Sequence, residues 1–428
     1  MEDDHLSIET LARWLAGDLE HEELVNRVIP HFLAVCPECR ETYEEIVRLK
    51  REFEHWDERV AVFEGRQAPE LLEELAGQPL DARVARVREE DRFQTWALCQ
   101  LLLKKSLKTA IDDPLEAVAL AELAVRVSER LDAAAYHPHW LLDLQAKAWA
   151  YLGNALRVLG ELWSAEGSFR RAEEVLSQSL TGNLLVRAEI LDLKSSLLRA
   201  QRRLVEARQV VDEALAAYHQ EEDSRGIGKA LIQRAKILEE QGELEAAIEA
   251  LAEAALVVDA APDARLLLCA RHNLVWLLTT AGRHSEAEAL LPEVRRLATE
   301  LGNPLDLVRL RWAEGRIDLG LGRRGPAEAA FREVQREFFE RRMGFDAALV
   351  SLDLAVLYAA EGCIAEIKQL AAEIMPVFES REVHREAIAA LIMFQQAAEE
   401  ERLTVALARH LAAFLGRERG ARPPVSLR

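Results

Sequence analysis

Two helices and the turn between them are predicted by residues 148–176, AWAYLGNALRVLGELWSAEGSFRRAEEVL. Small residues at Gly153, Ala165 and Ala172 allow the two helices to approach closely, and the bulky side chains around them fill the remaining space. Gly160 lies where the first helix would end. This stretch therefore predicts a helical hairpin whose apolar face is covered by neighbouring hairpins.

The corner at which the second helix begins recurs along the chain. We mark each copy of this corner by the residue that corresponds to Ala165, and call it the marker residue. The marker residues fall at positions 165, 207, 247, 287, 327 and 367, so the steps are 42, 40, 40, 40 and 40. Weaker copies that end at Ala117 and Leu407 extend the series to about eight helical pairs. A fixed period with two helices per unit is typical of an α-solenoid. An irregular helical bundle is the alternative, and four successive steps of 40 argue against it.

The composition agrees with an all-α fold. Half of the 428 residues are hydrophobic and only 6% are aromatic, while the strong helix formers Ala, Leu, Glu and Arg dominate. The 74 acidic and 54 basic residues give a formal net charge of −20, which repels nucleic-acid backbones. Residues 1–64 carry 17 acidic and 7 basic residues, a net −10, so half of the negative charge lies there. Direct nucleic-acid binding is not expected.

The best-preserved unit resembles a tetratricopeptide repeat. Its period of about 40 residues exceeds the usual length of about 34, which predicts helices about one turn longer. The resemblance implies a tetratricopeptide-like α-solenoid that binds proteins or peptides. It rests on large and small residues at matching positions, namely Trp149, Leu152, Gly153, Leu156, Gly160, Ala165, Phe169 and Ala172.

A candidate metal site lies near the amino terminus. His31, Cys36 and Cys39 form H-x4-C-x2-C, and 25 residues separate His5 from His31. Two imidazoles and two thiolates form a closed tetrahedral set for Zn²⁺, which leaves no position for a water molecule, so the site is structural. A redox pair or two ordinary cysteines are the alternatives for Cys36 and Cys39. His5 is the least specific ligand, and the single cysteines Cys99, Cys269 and Cys363 are interpreted as small buried hydrophobes.

The first 45 residues or so resemble the zinc-finger domain of zinc-binding anti-sigma factors. The resemblance is carried by A-G-D-L at 16–19 and HFLAVCPECR at 31–40, together with the ligand spacing. It implies a sigma factor as a protein partner. His31 and Cys36 are one residue further apart than in that family, which requires the preceding helix to end before Cys36. Pro37 would then begin the next helix, with Cys36 as its cap.

Four segments are predicted. A three-helix zinc-binding module at 1–64 is followed by a hinge at 65–85, because Gly65, Pro69, Gly77 and Pro79 cluster there. The solenoid covers 86–416 and a flexible tail 417–428. The helix after Cys39 carries an apolar seam that packs on the module or the first hairpin, or that binds a partner. The seam consists of Ile46, Leu49, Phe53, Trp56, Val60 and Phe63.

The first helices of successive hairpins line the concave face of a tetratricopeptide array. Basic and aromatic side chains on that face would suit an acidic or extended peptide. Chance is the alternative explanation, since Arg is common throughout. The predicted partner-binding residues are Lys147, Asn154, Arg157, Arg199, Lys229, Lys236, Trp276, Trp312 and Arg316.

No catalytic motif is present, so an enzyme is not expected. No apolar run is long enough to cross a bilayer, and the amino terminus lacks the features of a signal peptide, so we expect a cytoplasmic protein without membrane contact. The sequence predicts a regulatory protein–protein interaction protein with a structural Zn²⁺ ion, acting in transcriptional or signalling control. The alternative is a scaffold in which the zinc only stabilises the amino-terminal module.

Overall fold

A computed structural model describes most of the chain. The described residues are 5–6, 10–11, 14, 26, 28–33, 36–259, 263–378, 394, 396–399 and 403–418. Their regular secondary structure is helical, which confirms the all-α prediction. The chain divides into two compact units, Met1–Gly226 and Ile227–Arg428.

Among the described helices of the first unit, a short one and a long one come first, followed by helical hairpins that pack on their neighbours. A single 3-10 turn, Asp91–Phe93, separates the third and fourth helices. The helices are α1 (Ile29–Leu33), α2 (Pro37–Leu75), α3 (Leu80–Glu89), α4 (Trp96–Thr109), α5 (Pro114–Ser128), α6 (Pro138–Leu159), α7 (Leu162–Leu176), α8 (Leu184–Ala200) and α9 (Leu204–Gln220).

The next helix, α10 (Ser224–Gln241), contains the division between the units. The second unit continues the alternation of first and second helices, and each described pair from α12 onward packs on the next. The remaining helices whose bounds the structure describes are α11 (Leu244–Asp259), α12 (Ala264–Thr280), α13 (His284–Leu301), α14 (Pro304–Gly320), α15 (Arg324–Glu340), α16 (Gly344–Glu361), α17 (Ile364–Phe378) and α18 (Val405–Glu418).

The recurring corner lies where the sequence predicts it. Each marker residue is the fourth residue of a second helix, as Ala165 is in α7 and Ala247 is in α11. The alanines at five of these positions are completely buried between the paired helices, and the sixth marker, Ile367, is buried as well. The stacked hairpins confirm the tetratricopeptide-like solenoid fold.

The end of each first helix shows why glycine recurs five residues before the marker. Gly160 there has a φ of 97°, in the left-handed region that glycine adopts without strain. The corresponding residue of the next hairpin is Arg202, whose φ is 61°. The corner therefore keeps its backbone geometry even where the sequence lacks glycine.

Complementary side-chain sizes explain the closest helix contacts. A Cβ atom placed on Gly153 would lie 2.8 Å from the ring of Phe169 in the partner helix. Gly315 and Phe331 repeat this relationship in the second unit, at 2.7 Å. In another hairpin, alanine replaces the glycine, at Ala235, and the smaller leucine replaces the phenylalanine, at Leu251. Both side chains are buried. A larger residue on one helix is thus matched by a smaller residue on the other, so the combined volume of each pair is similar.

The predicted hinge at 65–85 differs from the structure over its first half. Residues 65–75 belong to α2, which continues through Pro69. Ala68, Leu71 and Leu75 are buried in the core of the first hairpins, and α2 packs on α4. Only the turn at Gly77, with a φ of 73°, and Pro79 interrupt the helices. The segment boundaries themselves remain a prediction.

The predicted seam on α2 begins at Ile46, which is fully buried. The side chains of its other five members, from Leu49 to Phe63, lie outside the described residues. The predicted tail at 417–428 lies outside them as well, except for its first two positions, which end α18. Among the described helices, none is both long and apolar enough to cross a membrane.

Candidate functional site

Four potential metal ligands come together at the start of α2. Cys36 is the N-cap of this helix and Pro37 is its first residue, as the sequence predicts. Cys39 lies in the first turn, and His31 lies in α1, which ends at Leu33. The ring of His5 comes from the segment before α1. The two helices and the amino-terminal segment therefore converge on one point.

The ligand atoms are close enough together to surround one metal ion. One nitrogen or sulfur atom from each of His5, His31, Cys36 and Cys39 lies within 4.8 Å of the other three. His31 Nε2 is 3.2 Å from Cys39 Sγ, and His5 Nδ1 is 3.3 Å from Cys36 Sγ. Metal–ligand bonds of about 2.0–2.3 Å at tetrahedral angles give ligand–ligand distances of roughly 3.3–3.8 Å. The cluster could hold a metal ion.

A small apolar core supports this cluster. Cys39 is only 3% exposed and packs with the buried side chains of Leu6, Leu11, Val28 and Ile46. The backbone N–H of Leu6 also donates to Cys39 Sγ at 3.3 Å. An N–H donor directed at a cysteine sulfur stabilises its thiolate form, which is the form that binds metals.

The Cys36 thiol is activated by its position at the helix start. A hydrogen bond from the backbone of Cys39 lowers the pKa of Cys36 to about 6, and hydrogen bonds with the side chains of His31, His5 and Cys39 act in the same direction. A thiolate at a helix amino terminus is also favoured by the helix dipole. These contacts therefore favour the thiolate form of Cys36.

The predicted partner-binding residues of the first unit are partly engaged within the protein. Lys147 forms an ion pair with Glu189 at 2.8 Å. Asn154 is buried, and its side-chain oxygen accepts hydrogen bonds from the half-buried Arg157 at 2.9 and 3.2 Å. Burial and the nearby guanidinium of Arg199, itself buried, lower the pKa of Arg157 to about 10. Asn154 and Arg199 thus differ from the open positions expected of them.

In the second unit, three of the predicted residues contact one another. The indole rings of Trp276 and Trp312 meet edge to face at 5.1 Å, and the Arg316 guanidinium lies 4.4 Å above the Trp276 ring. Trp312 is buried, unlike the surface contact predicted for it. Its Nε1 donates to Asp353 at 2.7 Å, and Arg316 lies 4.0 Å from the same carboxylate. Lys229 and Lys236 are half-buried on α10.

Asp353 and Glu189 are the site residues that the sequence analysis missed. Each lies about one period after the residue it contacts, since Trp312 and Asp353 are 41 positions apart and Lys147 and Glu189 are 42 apart. Burial raises the pKa of Asp353, while Arg316 and the Trp312 N–H oppose that rise. A search for acids one period after each predicted cation or tryptophan would have found both.

Comparisons with known proteins identify the fold alone. No family model and no curated protein matches the sequence. The structure of aspartyl phosphate phosphatase F from Bacillus subtilis is 14% identical and has a TM-score of 0.51, with 88% of this chain and 93% of that chain covered.

Two further structures resemble the chain more weakly. A Rap protein in complex with competence and sporulation factor is 16% identical at a TM-score of 0.48, covering 75% of this chain and 96% of that one. BtubC (BKLC) from P. vanneervenii is 18% identical at a TM-score of 0.46, covering 51% of this chain and 88% of that one. Similarity at this level carries no functional argument.

Proposed function

We propose that this protein is a non-enzymatic regulator that binds other proteins through two parts, a metal-binding head and an array of helical hairpins. The observation that carries the proposal is the convergence of His5, His31, Cys36 and Cys39 at the start of α2. The same helix ends in the core of the first hairpins. The head is thus joined to the array by a packed helix.

The proposed metal is Zn²⁺ in a structural role. Two thiolates and two imidazoles match the ligand preference of zinc, and four protein ligands leave no open position for a substrate. Two thiolates also neutralise the charge of the ion, so the head would stay acidic. The head then offers a fixed acidic surface to a basic partner, in which charge increases the association rate and selectivity.

The proposed partner of the head is a sigma factor, which rests on the resemblance of the first 45 residues to zinc-binding anti-sigma factors. The hairpin array would hold a second protein or an acidic, extended peptide through Lys147, Arg157, Lys229, Lys236, Trp276 and Arg316. Such a protein would link transcriptional or signalling control to whatever the array binds.

Direct binding to the sigma factors of the native host tests this proposal. We expect the full-length chain to bind one of them, and we expect binding to be lost when residues 1–64 are deleted or when Cys36 and Cys39 are both changed to Ser in the full chain. The variant Cys363→Ser, which leaves the cluster intact, should bind as the unchanged protein does. Failure of the full-length chain to bind any host sigma factor would contradict the proposal.

A scaffold without a sigma-factor partner is the second candidate. It is favoured by the burial of Cys39 among Leu11, Val28 and Ile46, because a metal placed there stabilises a small core directly. In that case no host sigma factor should bind the full-length chain, while a partner of the hairpin array should bind the full-length chain and the Cys36/Cys39 double variant equally well. Sigma-factor binding by the full-length chain therefore separates the candidates.

A further inference from the structure

Three successive hairpins of the first unit expose a large apolar side chain at the same position. Leu115, Trp163 and Val205 lie two residues before the markers Ala117, Ala165 and Ala207, at the start of α5, α7 and α9. They are 69%, 89% and 67% exposed. Because α4, α6 and α8 pack in succession, these three positions follow one another along one edge of the unit. We call these three residues, together with Leu107 and Ile111, the apolar edge.

The repeat fold does not require these side chains. The corresponding positions of the second unit, counted back from markers 247, 287, 327 and 367, are Glu245, Ser285, Gly325 and Ala365. Those hairpins form the same corners with polar or small residues there. An exposed tryptophan and two exposed aliphatic residues in register therefore need a reason other than folding.

Two more exposed side chains extend the apolar edge at the first hairpin. Leu107, near the end of α4, and Ile111, in the turn before α5, are 43% and 37% exposed. Next to Trp163 on α7, the exposed Gly167 leaves a surface without a side chain, since a Cβ placed there would contact nothing within 4 Å. The indole thus lies beside a gap that a partner side chain could fill.

Positive charge accompanies the first part of the edge. Lys104, Lys105 and Lys108 are exposed on the last two turns of α4, beside Leu107. None of the three forms an ion pair with any residue that the structure describes. Three lysines without an ion-pair partner among the described residues form a local cluster of positive charge in a protein of net charge −20.

From this arrangement we propose that the apolar edge docks an amphipathic segment of a partner protein whose acidic end contacts the three lysines and whose apolar residues cover Trp163 and Val205. A second copy of this chain is disfavoured, because each copy carries a net charge of −20. An anionic membrane is disfavoured as well, because the exposed carboxylate of Glu161 lies two residues before Trp163 in the sequence and would face the lipid charge.

This surface is separate from the one in the proposed function. The partner-binding positions on Lys147 and Arg157 belong to a first helix, α6, whereas the apolar edge is formed mainly where second helices begin. Occupation of the apolar edge therefore does not depend on the metal or on a ligand of the first helices.

Two synthetic peptides of 18 residues test the proposal with the full-length protein. Both carry Leu at helical spacing i, i+3, i+4 and i+7. The first has Glu and Asp at the polar positions of its amino-terminal half, and the second has Lys at those positions. We expect the acidic peptide to bind at least tenfold more tightly than the basic one in fluorescence anisotropy, with an affinity that falls as salt is added.

Substitutions locate the binding surface. Trp163→Ser should weaken binding of the acidic peptide at least tenfold. The combined variant K104E/K105E/K108E should no longer bind the acidic peptide more tightly than the basic one. Leu256→Ser is the matched control, since Leu256 is 75% exposed on α11 of the second unit and is not part of the apolar edge, so its loss should leave binding unchanged. All these residues are exposed, so the variants should keep the unfolding temperature of the unchanged protein.

Three results would overturn the proposal. The first is equal binding of the two peptides, or binding that Trp163→Ser leaves intact. The second is a concentration-dependent dimer in sedimentation that Trp163→Ser abolishes, which would assign the edge to a second copy. The third is sedimentation with phosphatidylserine vesicles that the lysine variant abolishes while peptide binding is absent, which would assign it to a membrane.

Discussion

The hydroxyl of Tyr136 donates a 2.7 Å hydrogen bond to the carboxylate of Glu64, which lies 72 residues earlier in the chain. The second oxygen of Glu64 accepts from the backbone N–H of Ala97 at 3.1 Å, where it satisfies a free donor in the first turn of α4. A single carboxylate thus connects the helix that begins at the ligand cluster to the start of the first hairpin.

Removal of this carboxylate should destabilise the first hairpin. We expect Glu64→Ala to lower the free energy of unfolding by about 1–3 kcal/mol, because it leaves both the Tyr136 hydroxyl and the Ala97 N–H without their acceptor. Tyr136→Phe should cost about 1 kcal/mol, and the double variant should cost less than the sum. Urea denaturation followed by circular dichroism measures these values. Glu70→Ala, an exposed change on the same helix, should stay within about 0.5 kcal/mol.

Loss of the thiols should remove the metal. We expect protein purified without added metal to contain about one zinc ion per chain, and the variant C36S/C39S to contain almost none by elemental analysis. Structural zinc contributes about 10 kcal/mol or more of apparent binding energy, so the variant should also lose helix signal from the first 45 residues. Cys363→Ser should keep the full metal content. Unchanged zinc in C36S/C39S would refute the assignment of the ligands.

The size pattern of the hairpins was predictable from sequence because it is local and periodic. Ala165 and Ala207 mark a corner at which two helices approach closely, and alanine recurs at this position through marker 327. The start of α2 was likewise predictable from two adjacent residues, because Cys36 is its N-cap and Pro37 its first residue. Features of this kind depend on neighbours within one helical turn or one period.

The remaining differences arise from partners that no local pattern contains. Pro69 suggested a hinge, yet burial of Leu71 and Leu75 against α4 holds α2 together through the proline. Trp312 was expected at the surface, but its Nε1 is satisfied by Asp353 on α16, so the indole can be buried. Tertiary contacts thus overrode backbone propensity in one case and the assumed exposure of an aromatic residue in the other.

Steric fit between paired helices gives a prediction in which two glycines of one hairpin respond in opposite directions. Gly153→Ala should destabilise the protein by about 1–3 kcal/mol, because the new methyl group would lie 2.8 Å from the Phe169 ring. Gly167→Ala, also within a helix but with open space around it, should stabilise the protein by about 0.5–1 kcal/mol. Thermal unfolding of the two variants checks both signs.

The same test can be repeated in the second unit. Gly315→Ala should be as costly as Gly153→Ala, since the Phe331 ring would lie 2.7 Å from the added methyl group. Replacing the ring as well, in G315A/F331L, should recover part of the loss. If Gly153→Ala and Gly167→Ala gave the same change, helix propensity alone would explain both, and the size complementarity would have no energetic weight.

Stability should depend on pH through Asp143, a buried residue of α6. Burial raises the pKa of this carboxyl to about 6, while hydrogen bonds from Ser179 and Thr181 act against that rise. Thr181 Oγ1 donates to one carboxyl oxygen at 2.7 Å, and the other oxygen is buried without a partner. The neutral acid therefore fits this position better than the carboxylate does.

The direction of this dependence follows from the two pKa values. The ordinary pKa of an aspartate in an unfolded chain is about 3.9, so between about pH 4 and pH 6 the folded state binds more protons than the unfolded state. The contribution of protonated Asp143 is complete below that range and is lost as the pH rises through about 6.

Asp143→Asn carries no such charge and keeps an oxygen for Thr181. The free energy of unfolding of this variant, measured by urea denaturation, should therefore rise by about 1–2 kcal/mol relative to that of the unchanged protein as the pH is raised from 4.5 to 7. Asp91→Asn, at an exposed position, should show no comparable trend, and a pH-independent difference for Asp143→Asn would mean that Asp143 is ionised throughout this range.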